Sequence, residues 1–137
     1  MQSRFRVRGW SVFDSGYYDD IQNMLFGEED NMTLLDAISK DLVNEIIPEQ
    51  CTGLKDKNGK LIYEGDILAT SPNSQSYGCY KVFFQKDECS FKVISCDGSH
   101  DYAIPLNVLT EKNDFQIIGN IHENPELLED NNVKYSE

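Results

Sequence analysis

An Asn58-Gly59 pair stands between Leu54 and the apolar run Leu61-Ile62-Tyr63, and it commits the centre of the chain to an antiparallel hairpin. Asn-Gly tolerates the positive φ that a type I′ turn asks of both central residues, and the twist of that turn matches the twist of paired strands. Further turn signals follow at intervals of roughly eight to twelve residues. Ser71-Pro72-Asn73-Ser74 precedes the strongly β run Tyr80-Lys81-Val82-Phe83-Phe84, and Asp97-Gly98 separates Phe91-Lys92-Val93-Ile94 from Tyr102-Ala103-Ile104. Phe115-Gln116-Ile117-Ile118-Gly119-Asn120-Ile121 supplies a last strand. Strands at this density predict a mainly β fold, either a small barrel or a folded-over antiparallel sheet.

The opening run Arg4-Phe5-Arg6-Val7-Arg8-Gly9-Trp10 alternates strictly, with arginines on one face and Phe5 and Val7 on the other. That is the period of a half-buried strand. The arginines are read first as a solvated strand edge that discourages aggregation; a basic contact patch, or pairing with the chain's own acidic segments, stays open. Residues 14–32 are polar, acidic and broken by Gly16 and Gly27, and no regular structure is assigned there. From Thr33 the pattern changes: Leu34, Leu35, Ile38 and Leu42 recur at helical spacing behind a Thr33 cap with Asp36 three residues on. One short helix to about Val43 is predicted. Pro48 turns Ile47 away from helical angles, so residues 46–52 are expected to be extended. After the last strand, Asn124-Pro125-Glu126-Leu127-Leu128 has a cap residue followed by Pro at the first helical position, which predicts a single helical turn.

At 137 residues with 39% hydrophobic content, the chain holds enough apolar material for one ordinary core. It reads as a single domain over residues 1–137: an N-terminal strand (1–13), a variable acidic segment with the short helix (14–50), a β core (51–130) and a tail (131–137). No stretch approaches the roughly 18 apolar residues of a membrane span, and the opening leads into no signal-peptide pattern, so a cytoplasmic protein without membrane contact is expected. Cys51, Cys79, Cys89 and Cys96 fall at intervals of 28, 10 and 7, none of them C-x₂-C spacing, and are read as thiols.

Net charge is −12, and it is unevenly placed: +3 over residues 1–10, −9 over 11–52, −2 over 53–122 and −4 over 123–137. A field of that sign repels phosphate backbones and argues against sequence-independent nucleic-acid binding. It suits a basic partner instead.

Three stretches, in order, resemble the YopX-like family of phage and prophage proteins. The first is Arg4-Phe5-Arg6-Val7-Arg8-Gly9-Trp10. The second, Thr52-Gly53-Leu54-Lys55-Asp56-Lys57-Asn58-Gly59-Lys60-Leu61-Ile62-Tyr63-Glu64-Gly65-Asp66-Ile67-Leu68, is similar to the family's central signature. The third, Phe115-Gln116-Ile117-Ile118-Gly119-Asn120-Ile121-His122-Glu123-Asn124-Pro125-Glu126-Leu127-Leu128, is similar to its closing one. Residues 11–50 depart from the family pattern. The resemblance implies a phage or prophage origin, a bacterial host's cytoplasm, a mainly β domain and a homo-oligomer. It implies no established activity and carries over no catalytic, cofactor or metal residue. Gly65 before Asp66 resembles the bend that opens a strand in SH3-like barrels, where glycine tolerates positive φ and the aspartate bonds nearby amides. Asn58, Gly59, Gly65 and Asp66 are therefore assigned a structural role in turns.

The chemistry-bearing clusters each have a simpler structural account. Cys96-Asp97-Gly98-Ser99-His100-Asp101 could hold a metal or a thiolate pair, but it coincides with a predicted turn and has no second ligand pair at the right spacing. Glu64 and Asp66, two apart on a predicted strand, would share a face. Asp56-Lys57-Asn58-Gly59 has its glycine too early for a calcium loop. Cys79 and Cys89 are read as small apolar residues on strands, and His122 as a capping or surface side chain. No phosphate-cradling glycine loop or nucleophile elbow occurs.

Two functions are carried forward. The first is a non-enzymatic, oligomeric interaction protein, assembled through its strands and helix, whose acidic segment engages a basic host or phage protein. Its candidate contacts are Asp19, Asp20, Glu28, Glu29 and Asp30. The alternative is a nucleic-acid-binding small barrel that stacks bases on Tyr77, Tyr80, Phe83, Phe84 and Phe91 beside Lys81, Lys86 and Lys92.

Overall fold

The computed structural model describes residues 6–26, 32–70, 78–96, 103–111 and 114–128. The chain divides into two compact units, Met1–Gly53 and Leu54–Glu137. The protein is mainly β.

In the first unit, β1 (Val7–Ser11) lies between β2 (Gly16–Tyr18) and β3 (Ile46–Lys55), antiparallel to both. β1 is the strand expected from the opening alternation, while β2 falls in residues 14–32, where no regular structure is expected. The turn between them runs on Ser15 at φ 55, with the Ser15 N–H donating to Ser11 O and the Asp14 N–H to Ser11 Oγ. A three-residue strand closed by serine and aspartate carries neither an alternating pattern nor an Asn-Gly turn. Register pairs Gly9 with Tyr18 on one side and with Pro48 on the other. Gly9 has to be glycine, since a Cβ there would sit 2.5 Å from Ile46 Cγ2 and 3.3 Å from Ile21 Cδ1. Ile21 is fully buried, and the neighbouring Leu35 N–H donates to its carbonyl.

Helix α1 (Leu34–Ser39) starts in a capping box: the Asp36 N–H donates to Thr33 Oγ1, and the Thr33 N–H to Asp36 Oδ2, each at 3.1 Å. It stops at Ser39 rather than near Val43. Asp41 turns left-handed at φ 60, and the Asp41 and Leu42 N–H groups fold back onto Ile38 O and Ala37 O. Those are the two bonds of a Schellman ending. Leu42 is therefore past the helix and 57% exposed, while Leu34 and Ala37 carry the buried face.

In the second unit the end of β3 neighbours β4 (Leu61–Tyr63), and a separate antiparallel sheet runs in the order β8-β7-β6-β5-β9. Its strands are β5 (Asp66–Thr70), β6 (Cys79–Gln85), β7 (Ser90–Ser95), β8 (Ile104–Pro105) and β9 (Phe115–Asn120). Ile62, Leu68, Val82, Val93, Leu106, Leu109 and Phe115 form its core. Leu106 and Leu109 come from α2 (Leu106–Thr110), a helix absent from the sequence reading. Five residues behind Pro105 are too few to show a helical period. The helical turn expected after β9 is present, with the Leu127 N–H on Asn124 O and the Leu128 N–H on Pro125 O.

The Asn58-Gly59 hairpin forms, with a different turn. Gly59 alone is at positive φ (83), its N–H donates to Asp56 O, and the Asp56 N–H donates to Lys60 O. This is a type I turn followed by a left-handed glycine, one residue longer than type I′. Cys89, expected on a strand, instead ends the 3₁₀ turn Lys86–Glu88 as an exposed residue at φ 49. Ser71-Pro72-Asn73-Ser74, Asp97-Gly98 and the tail over 131–137 lie outside the described residues.

Candidate functional site

Of the three arginines of the opening run, Arg4 lies outside the described residues, and Arg8 does not sit on a solvated edge. β1 is the central strand of its unit, and register sets Arg8 opposite Glu49 and Trp10 opposite Tyr17. Arg8 Nε donates to Glu49 Oε1 at 2.9 Å, and the Tyr17 hydroxyl donates to the same oxygen at 3.0 Å. The Arg8 guanidinium lies 4.1 Å from the centre of the Tyr17 ring, whose edge meets Trp10 at 5.0 Å between centroids. Glu49 is buried and the Arg8 side chain nearly so, with relative exposures of 6% and 12%. Pairing with the chain's own acidic residues, one of the alternatives left open above, describes Arg8. Arg6 follows suit more loosely, 3.8 Å from Asp20. Alternation placed the arginines on one face, but no local signal pointed to a partner 41 residues away.

The candidate acidic contacts divide. Asp19 is exposed after β2, while Asp20 sits at φ 54, facing Arg6 and accepting from Gln22 Nε2 at 3.3 Å. Glu28, Glu29 and Asp30 lie outside the described residues. Next to this segment the β1–β2 turn presents Val12 and Phe13, 58% and 86% exposed. The Tyr18 phenol donates to Asp14, and that carboxylate raises the Tyr18 pKa above its ordinary value by hydrogen bond first and charge second.

The turn residues sit at the joints of the second unit. Gly65 takes φ 86; its N–H donates to Val82 O and its carbonyl accepts from Ile121, each at 2.9 Å. Asp66 is buried, and its Oδ2 accepts the Tyr63 N–H at 2.8 Å. Glu64 belongs to the turn between β4 and β5, so it does not share a strand face with Asp66, and the carboxylate pair considered above is not assembled. Asn58 is exposed beside Gly59. Asp56, met in the sequence as the start of a rejected calcium loop, has a carboxylate that accepts three backbone N–H groups: Asn58, Lys60 and Ile117. Sequence reasoning passed over the Asn120–Asn124 clasp. Asn124 Oδ1 accepts the Asn120 N–H, and Asn120 Oδ1 accepts those of His122 and Glu123. Gly119 makes room for it, since a Cβ there would stand 2.3 Å from Asn124 Oδ1.

The proposed stacking platform splits across β6 and β7. Register pairs Val82 with Val93 and Phe84 with Phe91, while Lys81 meets Ile94 and Phe83 meets Lys92. Tyr80, Phe84 and Phe91 therefore share the face of the buried Val82 and Val93, and Lys81 and Lys92 lie with Phe83 on the reverse. Tyr80 packs edge-on against Phe115, and Lys92 pairs with Glu88. Lys86 is exposed in the 3₁₀ turn, and Tyr77 lies outside the described residues. A hollow of about 180 Å³ is lined by Thr70, Tyr80, Ile104, Val108, Leu109, Asp114 and Phe115. Among the described residues no three His, Cys, Asp or Glu side chains gather as a metal site, and no helix is long and apolar enough to cross a membrane.

These features define a class: a small, mainly β protein whose signature residues make strand joints. A family model described as YopX protein matches residues 7–129. The chain belongs to the YopX family. Its fold is similar to the crystal structure of protein EF1440 from Enterococcus faecalis, with a TM-score of 0.60 and 24% identity, over 90% of this chain and 96% of that one. A comparison with the curated proteins finds no match.

Proposed function

We propose that this is a phage or prophage protein acting in the bacterial host's cytoplasm as a non-enzymatic, oligomeric interaction protein that engages a basic host or phage protein. The observation that carries this reading is the β1–β2 turn. Val12 and Phe13 stand adjacent and exposed where turn chemistry ordinarily selects small polar residues. Asp14 follows them in the same turn, and Asp19 comes after β2 at the other end of the hairpin, within a segment of net charge −9 over residues 11–52. An apolar anchor on an acidic segment suits a basic partner with an apolar depression: the anchor supplies affinity and the segment's charge supplies steering.

The test is an affinity pull-down of the tagged chain from bacterial lysate, with and without nuclease, at low and high salt, read by mass spectrometry. Its oligomeric state is measured in parallel by sedimentation. A protein partner that resists nuclease, weakens with salt and is lost with Phe13→Ser supports the reading. So does weakening when Asp19, Asp20, Glu28, Glu29 and Asp30 are neutralised together while folding is kept. Recovery of nucleic acid, or a partner indifferent to both sets of changes, overturns it.

A further inference from the structure

We infer that Cys79 and Cys96 are a cross-strand thiol pair that closes to an intramolecular disulfide on meeting a small disulfide oxidant of the glutathione class. The β6–β7 register pairs Lys81 with Ile94 and Tyr80 with Ser95. One step further toward the open end of this hairpin, Cys79 stands opposite Cys96, and the Cys96 N–H donates to Cys79 O at 2.9 Å. Opposed residues of an antiparallel pair project to the same face, and a hydrogen-bonded pair holds its Cα atoms ~5.5 Å apart. That separation falls where disulfides are most often found, ~5.5–6 Å between Cα atoms. Cys51 on β3 and Cys89 in the 3₁₀ turn have no cysteine opposite them in register.

Burial sets the order of events. Cys79 is half-buried and Cys96 is 8% exposed, so the oxidant reaches Cys79 first. The Cys79 thiolate attacks one sulfur of oxidised glutathione. The oxidant's S–S bond breaks, one glutathione leaves as thiolate, and Cys79 carries a mixed disulfide. The Cys96 thiolate then attacks the Cys79 sulfur and expels the second glutathione. Two electrons pass from the pair to the oxidant, and the two protons end on the two released glutathione thiols. The product ties β6 to β7 beside β5, where Cys79 also faces Ala69. A reducing thiol pool reverses it.

The full chain, dilute and pre-reduced, is incubated with oxidised glutathione, quenched in acid, alkylated and digested without reduction for mass spectrometry. The expected product joins the Cys79 and Cys96 peptides with the loss of two hydrogens. Dithiothreitol restores both thiols, and in Cys96→Ser the glutathione adduct remains on Cys79. Cys51 and Cys89 are never joined to either. The inference is overturned if Cys79 and Cys96 are both recovered alkylated, or if the mixed disulfide on Cys79 persists in the wild-type chain. It is also overturned if a mixture of isotopically light and heavy chains yields light–heavy linked peptides.

Discussion

Asp56 accepts the backbone N–H of Ile117 on its Oδ2 at 3.0 Å, across 61 residues of sequence. Its Oδ1 accepts the N–H groups of Asn58 and Lys60 at 2.9 Å, and the adjacent Lys57 N–H donates to Phe115 O. One carboxylate thus shapes the β3–β4 turn and does for the outer edge of β9 what a neighbouring strand would do. An open edge would otherwise template pairing with another chain.

Asp56→Asn tests that double role. An amide retains one acceptor oxygen and sets an N–H₂ against the other partner, so a backbone N–H faces a second donor at a side chain that is itself only 7% exposed. The expected cost is ~1–3 kcal/mol, read from urea unfolding as a lowered midpoint with unchanged slope. Asp56→Ala should cost more. A midpoint that does not move would mean that water or another group replaces the carboxylate.

Gly65 is held at φ 86 by bonds to Val82 and Ile121, so a side chain there cannot relax by turning the backbone. Gly65→Val should destabilise by roughly 2 kcal/mol or more, because β-branched residues resist left-handed angles. Gly65→Asn should recover much of that loss, since asparagine tolerates them. Equal losses for the two variants would locate the requirement in space rather than in φ.

The elements legible in the sequence are those set by short-range chemistry. Thr33 with Asp36 marked the start of α1, Gly59 marked a hairpin, and the strongly β run Tyr80–Phe84 gave β6. What was missed depended on distance or count. Whether Asn58-Gly59 closes a two-residue or a longer turn depends on the register of β3 against β4, which the pair itself does not encode. The end of α1 turns on Asp41 entering left-handed geometry, a conformation aspartate adopts only in particular contexts.

Pairings across the chain were less legible still. The alternation of Arg6, Val7 and Arg8 is the same for an edge strand as for a central one, so Glu49 could not be matched to Arg8 from local pattern. The aromatics of residues 80–91 looked like a platform because composition does not reveal the face. Once register is known, Phe84 and Phe91 oppose each other on the core side and Lys81 lies on the other.

Removing Glu49 alone should be costly, because Arg8 would keep its charge with its side chain only 12% exposed. Glu49→Leu is expected to lose about 3 kcal/mol. The double variant Arg8→Met with Glu49→Leu should regain a large part of it, since neither charge is then left unmatched. A double-mutant cycle in denaturant measures this coupling. Additive losses would show that the two side chains matter for packing and not for their pairing.

Gly9→Ala should destabilise the first unit by about 1–3 kcal/mol, the cost of overpacking. Its methyl would meet Ile46 Cγ2 at 2.5 Å. Adding Ile46→Ala should relieve the clash and leave the pair less destabilised than the two single losses summed, measured by thermal unfolding.

The start of α1 should respond to acid. The Thr33 N–H, then the Thr33 hydroxyl, and more weakly the Lys40 charge hold the Asp36 carboxylate below its ordinary pKa. A group with a depressed folded pKa stabilises the fold above its unfolded pKa, about 4 for aspartate, and loses that contribution as pH falls through the lower folded value. The capping box should therefore be complete at neutral pH and fail only in strong acid. Carboxyl-carbon NMR titration should give Asp36 a midpoint below the ordinary aspartate value. Thr33→Ala removes the hydroxyl and frays the cap, so it should move the midpoint up toward the ordinary range. A midpoint unmoved by Thr33→Ala would assign the depression to the residue-33 N–H, which alanine keeps, with the smaller Lys40 share removed by Lys40→Gln.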